Sequence, residues 1–197
     1  MDKKKVLLGM SGGVDSSVAA YLLKNQGYEV YGFFMKANFS GKSKLMSCID
    51  WNEEEKMVKK ICEKLGIKLF VFDCEKGYEK NIIGQMIRDY EKGLTPNPDT
   101  LCNKIGKFPQ LLDLAREIGA EHIATGHYAL IRRRGKEVEL LMGKDRKKDQ
   151  SYFLAELNQE ILKHTLFPLG ELTKKEVRVL AHKAGFPNWD NRSGRGF

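Results

Sequence analysis

A chain of 197 residues, 42% hydrophobic and 30% charged, is long enough for one domain with a sizeable core and too apolar for a disordered segment. Its net charge of +8 (34 Lys and Arg against 26 Asp and Glu) favours a polyanionic partner. No apolar run approaches the ~20 residues of a membrane span, and the basic N-terminus leads into too short an apolar run for a secretion signal, so a cytoplasmic protein with no membrane partner is expected.

The first element is a short apolar strand, Val6 to Leu8. Small residues follow, and then a helix from about Asp15 that ends at Gly27. Strand, small-residue turn and helix N-terminus converge backbone N–H groups and the positive end of a helix dipole on one point, which makes an anion site. Gly12 and Gly13 let the backbone close on a phosphate, and Ser11, Ser16 and Ser17 add hydroxyls. The pattern is neither a Walker A loop nor a G-x-G-x-x-G dinucleotide turn. The plain alternative is a glycine-rich turn without a ligand, but such a turn needs one glycine rather than Ser-Gly-Gly-x-Asp-Ser-Ser.

Glu29 to Phe34 reads as a second strand, and the polar stretch from Ser40 to Asp50 is irregular. Asn52 and Glu55 have the spacing of a capping box, opening a helix with Val58, Ile61 and Leu65 on one face and Gly66 at its end. Lys68 to Asp73 is a third strand, Tyr78 to Glu91 a helix, and Thr95 to Asp99 a proline-rich turn. Leu111, Leu112, Leu114 and Ala115 mark a helix that Gly119 ends, and Glu121 to Thr125 is a fourth strand. This alternation predicts an α/β fold, a Rossmann-like parallel sheet with helices on both faces. Ligands then lie beyond the carboxyl ends of the strands, on the rim shared by the Ser-Gly-Gly loop, Met35 and Gly126-His127-Tyr128.

Past that point Leu130 to Arg133 and Glu137 to Met142 read as a hairpin, a basic run covers Lys144 to Lys148, and a helix follows near Leu154. Thr173 with Glu176 is another capping box, on a last helix carrying Val177, Leu180 and Ala181. The expected organisation is a nucleotide-binding domain over 1–166 with a helical extension and tail over 167–197. Arg132 to Arg134 and Lys144 to Lys148 suit phosphate contacts, with a solvated basic face as the plain alternative.

Asp99 and Cys102 lie three apart after a rigid Pro-Asn-Pro turn. A nearby positive charge, from Lys104 or Lys107, would lower the thiol pKa and make Cys102 a nucleophile; a buried loop cysteine is the alternative. The other cysteines, Cys48, Cys62 and Cys74, show no C-x-x-C spacing, and Cys62 and Cys74 are expected to be structural.

Gly9-Met10-Ser11-Gly12-Gly13-Val14-Asp15-Ser16 resembles the S-G-G-x-D-S signature of the PP-loop ATP pyrophosphatases, of the HUP-type adenine-nucleotide-binding fold. Thr95-Pro96-Asn97-Pro98-Asp99-x-x-Cys102-Asn103 resembles the catalytic loop of the tRNA-specific 2-thiouridylases, the MnmA family. Blocks around Phe34-Met35-Lys36, Ala124 to Ala129, Lys148 to Leu154, Phe167 to Gly170 and Thr173 to Arg178 continue that resemblance in family order. It implies that Gly9 to Ser16, Met35 and Gly126 bind ATP, with Mg²⁺. It implies that Asn97, Pro98 and Asp99 meet a uridine flipped out of the anticodon stack, and that His127, Lys148, Asp149 and Gln150 contact tRNA. Cys102 would be the sulfur-transferring cysteine and Asp99 its acid/base. ATP would adenylate the uridine C2 oxygen, and sulfur from a persulfide donor or relay protein would displace AMP.

The sequence departs from that family in its tail. Gly196 stands where the family carries a second cysteine before Phe197. Three expectations follow from that departure. One is a short thiouridylase with the persulfide on Cys102, or with Asp99 and Cys102 helping to hold an iron–sulfur cluster. Another is a piece of a longer enzyme. The third is a paralogue that binds ATP and RNA, or adenylates another substrate, without sulfur transfer. A nucleotide-binding module without catalysis, and a ligase acting on a metabolite, are the readings from other classes.

Overall fold

The computed structural model describes residues 3–36 and 50–191. Five parallel strands form one sheet: β1 (Lys5–Met10), β2 (Glu29–Lys36), β3 (Lys68–Asp73), β4 (His122–Ala124) and β7 (Thr165–Leu166). Their spatial order is β3-β2-β1-β4-β7, with β1 central and pairing Val6 to Val30 on one side and to His122 on the other. Successive β1 side chains point to opposite faces, so the strand feeds two cores. Val6, Leu8 and Met10 meet α1 (Val14–Asn25), α2 (Trp51–Leu65) and α8 (Lys174–Lys183) through Val18, Ile61 and Val177. Leu7 meets α6 (Phe108–Glu117) and α7 (Gln159–His164) through Phe108, Leu111 and Ile161. Helices on both faces are the expected α/β Rossmann-like arrangement, and every strand delivers its carboxyl end to one rim.

β5 (Ala129–Arg134) and β6 (Glu137–Met142) form the expected antiparallel hairpin, turning at Gly135 with φ +58°. On it the basic stretch is partly engaged: Glu139 pairs with Arg132 at 2.6 Å and with Arg134 at 3.2 Å, while Arg133 donates to the Lys163 carbonyl. Two exposed guanidiniums thus share one carboxylate, and the stretch keeps a net positive charge.

Two local expectations change. The α2 cap is Asp50, whose carboxylate accepts from the Asn52 and Glu53 amides, whereas Asn52 and Glu55 instead receive the Lys36 ammonium at 3.1 and 2.8 Å. Asp50 satisfies the free amides two residues earlier, so the Asn52–Glu55 capping box does not form. The expected helix from Tyr78 begins at α3 (Glu75–Tyr78), passes through a π-helical stretch Glu79–Ile83 and ends as α4 (Gly84–Glu91). The Thr173–Glu176 capping box is present on α8. Near Leu154 the chain makes a 3-10 turn, Ser151–Leu154, before α7. Cys48 and Gly196 lie outside the described residues. Among those described, no helix is long and apolar enough to cross a membrane.

Candidate active site

At the carboxyl end of β1 the chain turns through Ser11, Gly12 and Gly13 into α1. Gly12 has φ +74°, a left-handed conformation that favours glycine, and a Cβ there would overlap the Glu54 carboxylate. Ser16 Oγ lies inside the turn, donating to the Gly13 carbonyl at 3.1 Å and accepting from the Ser11 amide at 3.2 Å. Ser17 Oγ donates to the same carbonyl at 3.0 Å. The loop is thus held from within, with the α1 N-terminus facing the rim. Met10 and Val14 are core side chains, so what they offer a ligand is backbone.

Gly126, beyond β4, closes the other side. A Cβ on it would sit 2.9 Å from the Ser16 nitrogen and 3.0 Å from the Asp15 carbonyl carbon, so only glycine lets the two rim segments approach. Met35, at the end of β2, is partly buried and packs on the core shared with α6.

Asp15 is held by residues that the sequence gives no spacing rule to find. The Lys174 ammonium reaches both its oxygens, at 2.6 and 2.7 Å, and the Tyr128 hydroxyl donates to it at 2.8 Å. Lys174 is nine-tenths buried and lies 5.8 Å from the Tyr128 ring centroid. Asn188, fully buried, donates to the Gly12 carbonyl at 2.7 Å and to Ser17 Oγ at 3.1 Å. Glu54 lies against Gly12, and desolvation, with the nearby Asp50 charge, raises its pKa. The loop therefore has a carboxylate on its face, which an arriving polyphosphate must meet as an acid, displace, or share a cation with.

The Asn97–Cys102 segment folds as α5 (Pro98–Leu101), capped by Asn97, whose side-chain carbonyl accepts from the Thr100 amide at 3.1 Å. The Asn97 side-chain NH₂ and the second lone pair of its oxygen can still meet a ligand. Asn97, Pro98 and Thr100 wall a cleft of about 390 Å³ with Gln85 and Asp89, a size in the range of small-molecule sites. Cys102 opens a π-helical stretch, Cys102–Lys107, inside the helical run that continues as α6; such turns are frequent at functional sites.

The expected lowering of the Cys102 pKa does not occur. Burial raises it, and the Lys107 charge, the largest opposing effect, only partly offsets that rise. Lys104 pairs instead with Glu156 at 2.6 Å. Asp99 is likewise raised by burial against the pull of Lys107. At rest the pair is therefore a thiol beside a carboxyl of weakened acidity, which suits proton exchange better than a standing thiolate. Cys62 and Cys74 are buried and pushed up to about 11, mainly by desolvation, as structural thiols are.

Lys107 also acts on His127, whose ring stacks on Phe108 at 6.0 Å and meets Phe167 edge-on at 6.5 Å. Burial first, then Lys107, lowers His127 to about 3, so it meets any partner as neutral imidazole, hydrogen-bonded to Thr125 Oγ1 at 2.8 Å. Asp149 and Gln150 are engaged within the fold. Asp149 accepts from the Gly143 amide and Ser151, both at 2.8 Å, and Gln150 accepts from the Tyr128 amide at 3.1 Å. Lys148 is exposed.

Residues 4–196 match the family model described as tRNA methyl transferase HUP domain. The chain is 46% identical over 193 residues to tRNA-specific 2-thiouridylase MnmA of Lysinibacillus sphaericus, covering 98% of this chain and 51% of that protein. It is 44% identical over 197 residues to MnmA of Christiangramia forsetii, covering 98% and 50%. The chain spans about half the length of the curated relatives it matches. Among solved structures, NMN synthetase from Francisella tularensis aligns with a TM-score of 0.60 at 15% identity, covering 98% of this chain and 68% of that one. A 4-thiouridine synthetase, solved with RNA and bound ATP, aligns with a TM-score of 0.59 at 13% identity, covering 98% and 44%. At such identities these two share the fold alone. The chain belongs to the tRNA methyl transferase HUP domain family.

Proposed function

We propose that this chain carries the ATP-using and sulfur-transferring chemistry of a cytoplasmic tRNA 2-thiouridylase. The observations that support it most are an anion loop closed by Gly126 and a capped turn that carries Asp99 and leads into Cys102. The α1 amides and Gly12–Gly13 would take the polyphosphate of ATP, with Met35 against the adenine and Lys174 beside Asp15. A uridine extruded from a single-stranded anticodon would enter beside Asn97 and Pro98. His127, Lys148, Asp149 and Gln150 belong to the tRNA-facing side in this proposal, the carboxylate and amide by fixing loop shape. Residues 167–197 act as the extension that completes the loop through Lys174 and Asn188.

The uridine C2 oxygen attacks the α-phosphorus of ATP and pyrophosphate leaves; helix N-terminus and loop amides stabilise that charge. Sulfur arriving as a persulfide on Cys102 adds at C2 through its terminal atom, and AMP departs. A second thiol, supplied by the sulfur donor, then attacks Cys102 Sγ, leaving 2-thiouridine and a disulfide. Asp99, its acidity weakened by burial, receives the Cys102 proton when the persulfide is loaded.

Mg²⁺ takes one or two carboxylates together with phosphate oxygens, and Glu54 against Gly12 fits that demand, whereas both Asp15 oxygens are held by Lys174. When bound it would neutralise the departing pyrophosphate. A cubane or rhombic cluster needs a set of thiolates, commonly four. Among the described residues no group of three or more His, Cys, Asp or Glu is placed to hold a metal, so Asp99 and Cys102 do not fit an iron–sulfur cluster.

The test is nucleoside mass spectrometry of unmodified tRNA incubated anaerobically with the chain, ATP, Mg²⁺ and a persulfide donor. ATP-dependent appearance of 2-thiouridine supports the proposal. Consumption of ATP with unchanged tRNA nucleosides overturns it in favour of an enzyme that activates another substrate.

A further inference from the structure

The groove beside α8 shares Lys148 and Lys174 with the site above, and its other lining residues take no part in that chemistry. It has a volume of about 650 Å³. Along α8, Lys174, Arg178 and His182 form one i, i+4 row and Lys175, Val179 and Lys183 the next, so both rows share a helix face. Lys148 reaches the same groove from the loop after β6, and Trp189, 41% exposed, closes its far end. Trp189 is braced edge-on by His182, with ring centroids 4.7 Å apart.

Several basic side chains elsewhere are paired: Arg132 and Arg134 with Glu139, Lys104 with Glu156, Arg116 with Glu160. Among the described residues Lys148, Lys175 and Lys183 have no carboxylate within ion-pair distance, and Arg178 meets only the Asn191 carbonyl, at 3.5 Å. The bordering carboxylates are occupied, Asp15 by Lys174 and Tyr128, and Asp145 by the backbone amides of Lys147 and Lys174. A row of unmatched cations with an exposed aromatic ring at its end matches a strand whose charge repeats at every residue and whose bases can stack. A lone inorganic phosphate would use neither the length of the row nor the indole.

We propose that the α8 groove binds the sugar–phosphate backbone of an RNA strand, with Lys148, Lys175, Arg178 and Lys183 on successive phosphates and one unstacked base against Trp189. This rests on the tRNA reading above and gives that substrate a second foothold. Because Lys174 belongs to both the α8 rows and the Asp15 pair, the strand would run past the flank of the phosphate loop.

The experiment is fluorescence anisotropy of labelled, unmodified tRNA with the full 197-residue chain, across a salt series, alongside ATP binding by calorimetry. Variants are Lys175→Ala with Lys183→Ala, and Trp189→Ala; all three positions are on the surface, and circular dichroism verifies folding. The double lysine variant is expected to bind tRNA about tenfold more weakly, with the slope of log affinity against log salt shallower by about 1.4. Trp189→Ala is expected to lose about fivefold or more with the slope unchanged. ATP affinity stays as in the parent chain. Unaltered tRNA affinity and slope in both variants, with the parent binding tRNA, overturns the groove and leaves the thiolation proposal standing. Weakened ATP or inorganic pyrophosphate binding with unchanged tRNA binding overturns it in favour of a nucleotide subsite. A parent chain that binds no tRNA overturns both proposals.

Discussion

The sign of the Cys102 shift shows how a residue's setting can reverse what its neighbours suggest. Lys107 favours the thiolate, yet burial outweighs it and the thiol is held above its ordinary value of 9.0. Alkylation of Cys102 by iodoacetamide should therefore show a midpoint above pH 9, and Lys107→Ala should move it higher still, because the lysine is what lowers it. A wild-type midpoint below 9 would contradict this. Gly126 gives a second residue-scale prediction. A methyl group there meets the backbone of Asp15 and Ser16, which cannot swing aside as a side-chain tip can. Gly126→Ala should weaken ATP binding about tenfold or more, ~1.4 kcal/mol, by isothermal calorimetry. The glycine and serine pattern of the loop was legible in sequence, because spacing alone exposes a strand–turn–helix anion site. Lys174 was not, since its partner Asp15 lies 159 positions away and no local periodicity links them.

Elements were legible where their ends carry chemistry and obscure where two candidates compete. Asp50 and Asn52 are both good N-cap residues two positions apart, and only the fold shows that Asp50 takes the cap while Asn52 faces Lys36. Asp50→Ala should cost about 1 kcal/mol in urea unfolding, and Asn52→Ala clearly less. An equal loss in both would restore the Asn52 cap. The π-helical stretches at Glu79–Ile83 and Cys102–Lys107 leave no sequence signature, because their i→i+5 bonding is compatible with ordinary helix formers. β7 is two residues long, too short for any alternation to register.

Across the whole molecule, the alternation of strands and helices sufficed for a parallel sheet with its ligand rim, since right-handed crossovers leave few arrangements. What it did not reveal is that the segment after β7 returns to brace the Ser-Gly-Gly loop. Leu169, Val177, Ala181 and Phe186 share a core with α1, and Lys174 and Asn188 reach Asp15 and Gly12. Lys174→Met should thus destabilise the chain by on the order of 3 kcal/mol, the low end for a broken buried pair, because Asp15 keeps some solvent. It should also weaken ATP binding, tying the two readouts together; loss of neither would mean that the pair is ornamental.

The most direct measurement separates the two half-reactions on one tRNA. Pyrophosphate release and 2-thiouridine are followed together under anaerobic conditions, with ATP, Mg²⁺ and a persulfide donor, for the parent chain and for Cys102→Ser. The parent is predicted to give both products, and Cys102→Ser to retain tRNA-dependent pyrophosphate release while forming no thiouridine. Thiouridine formed equally well by Cys102→Ser, or pyrophosphate release by the parent that ignores tRNA, would contradict the assignment of one rim to both steps.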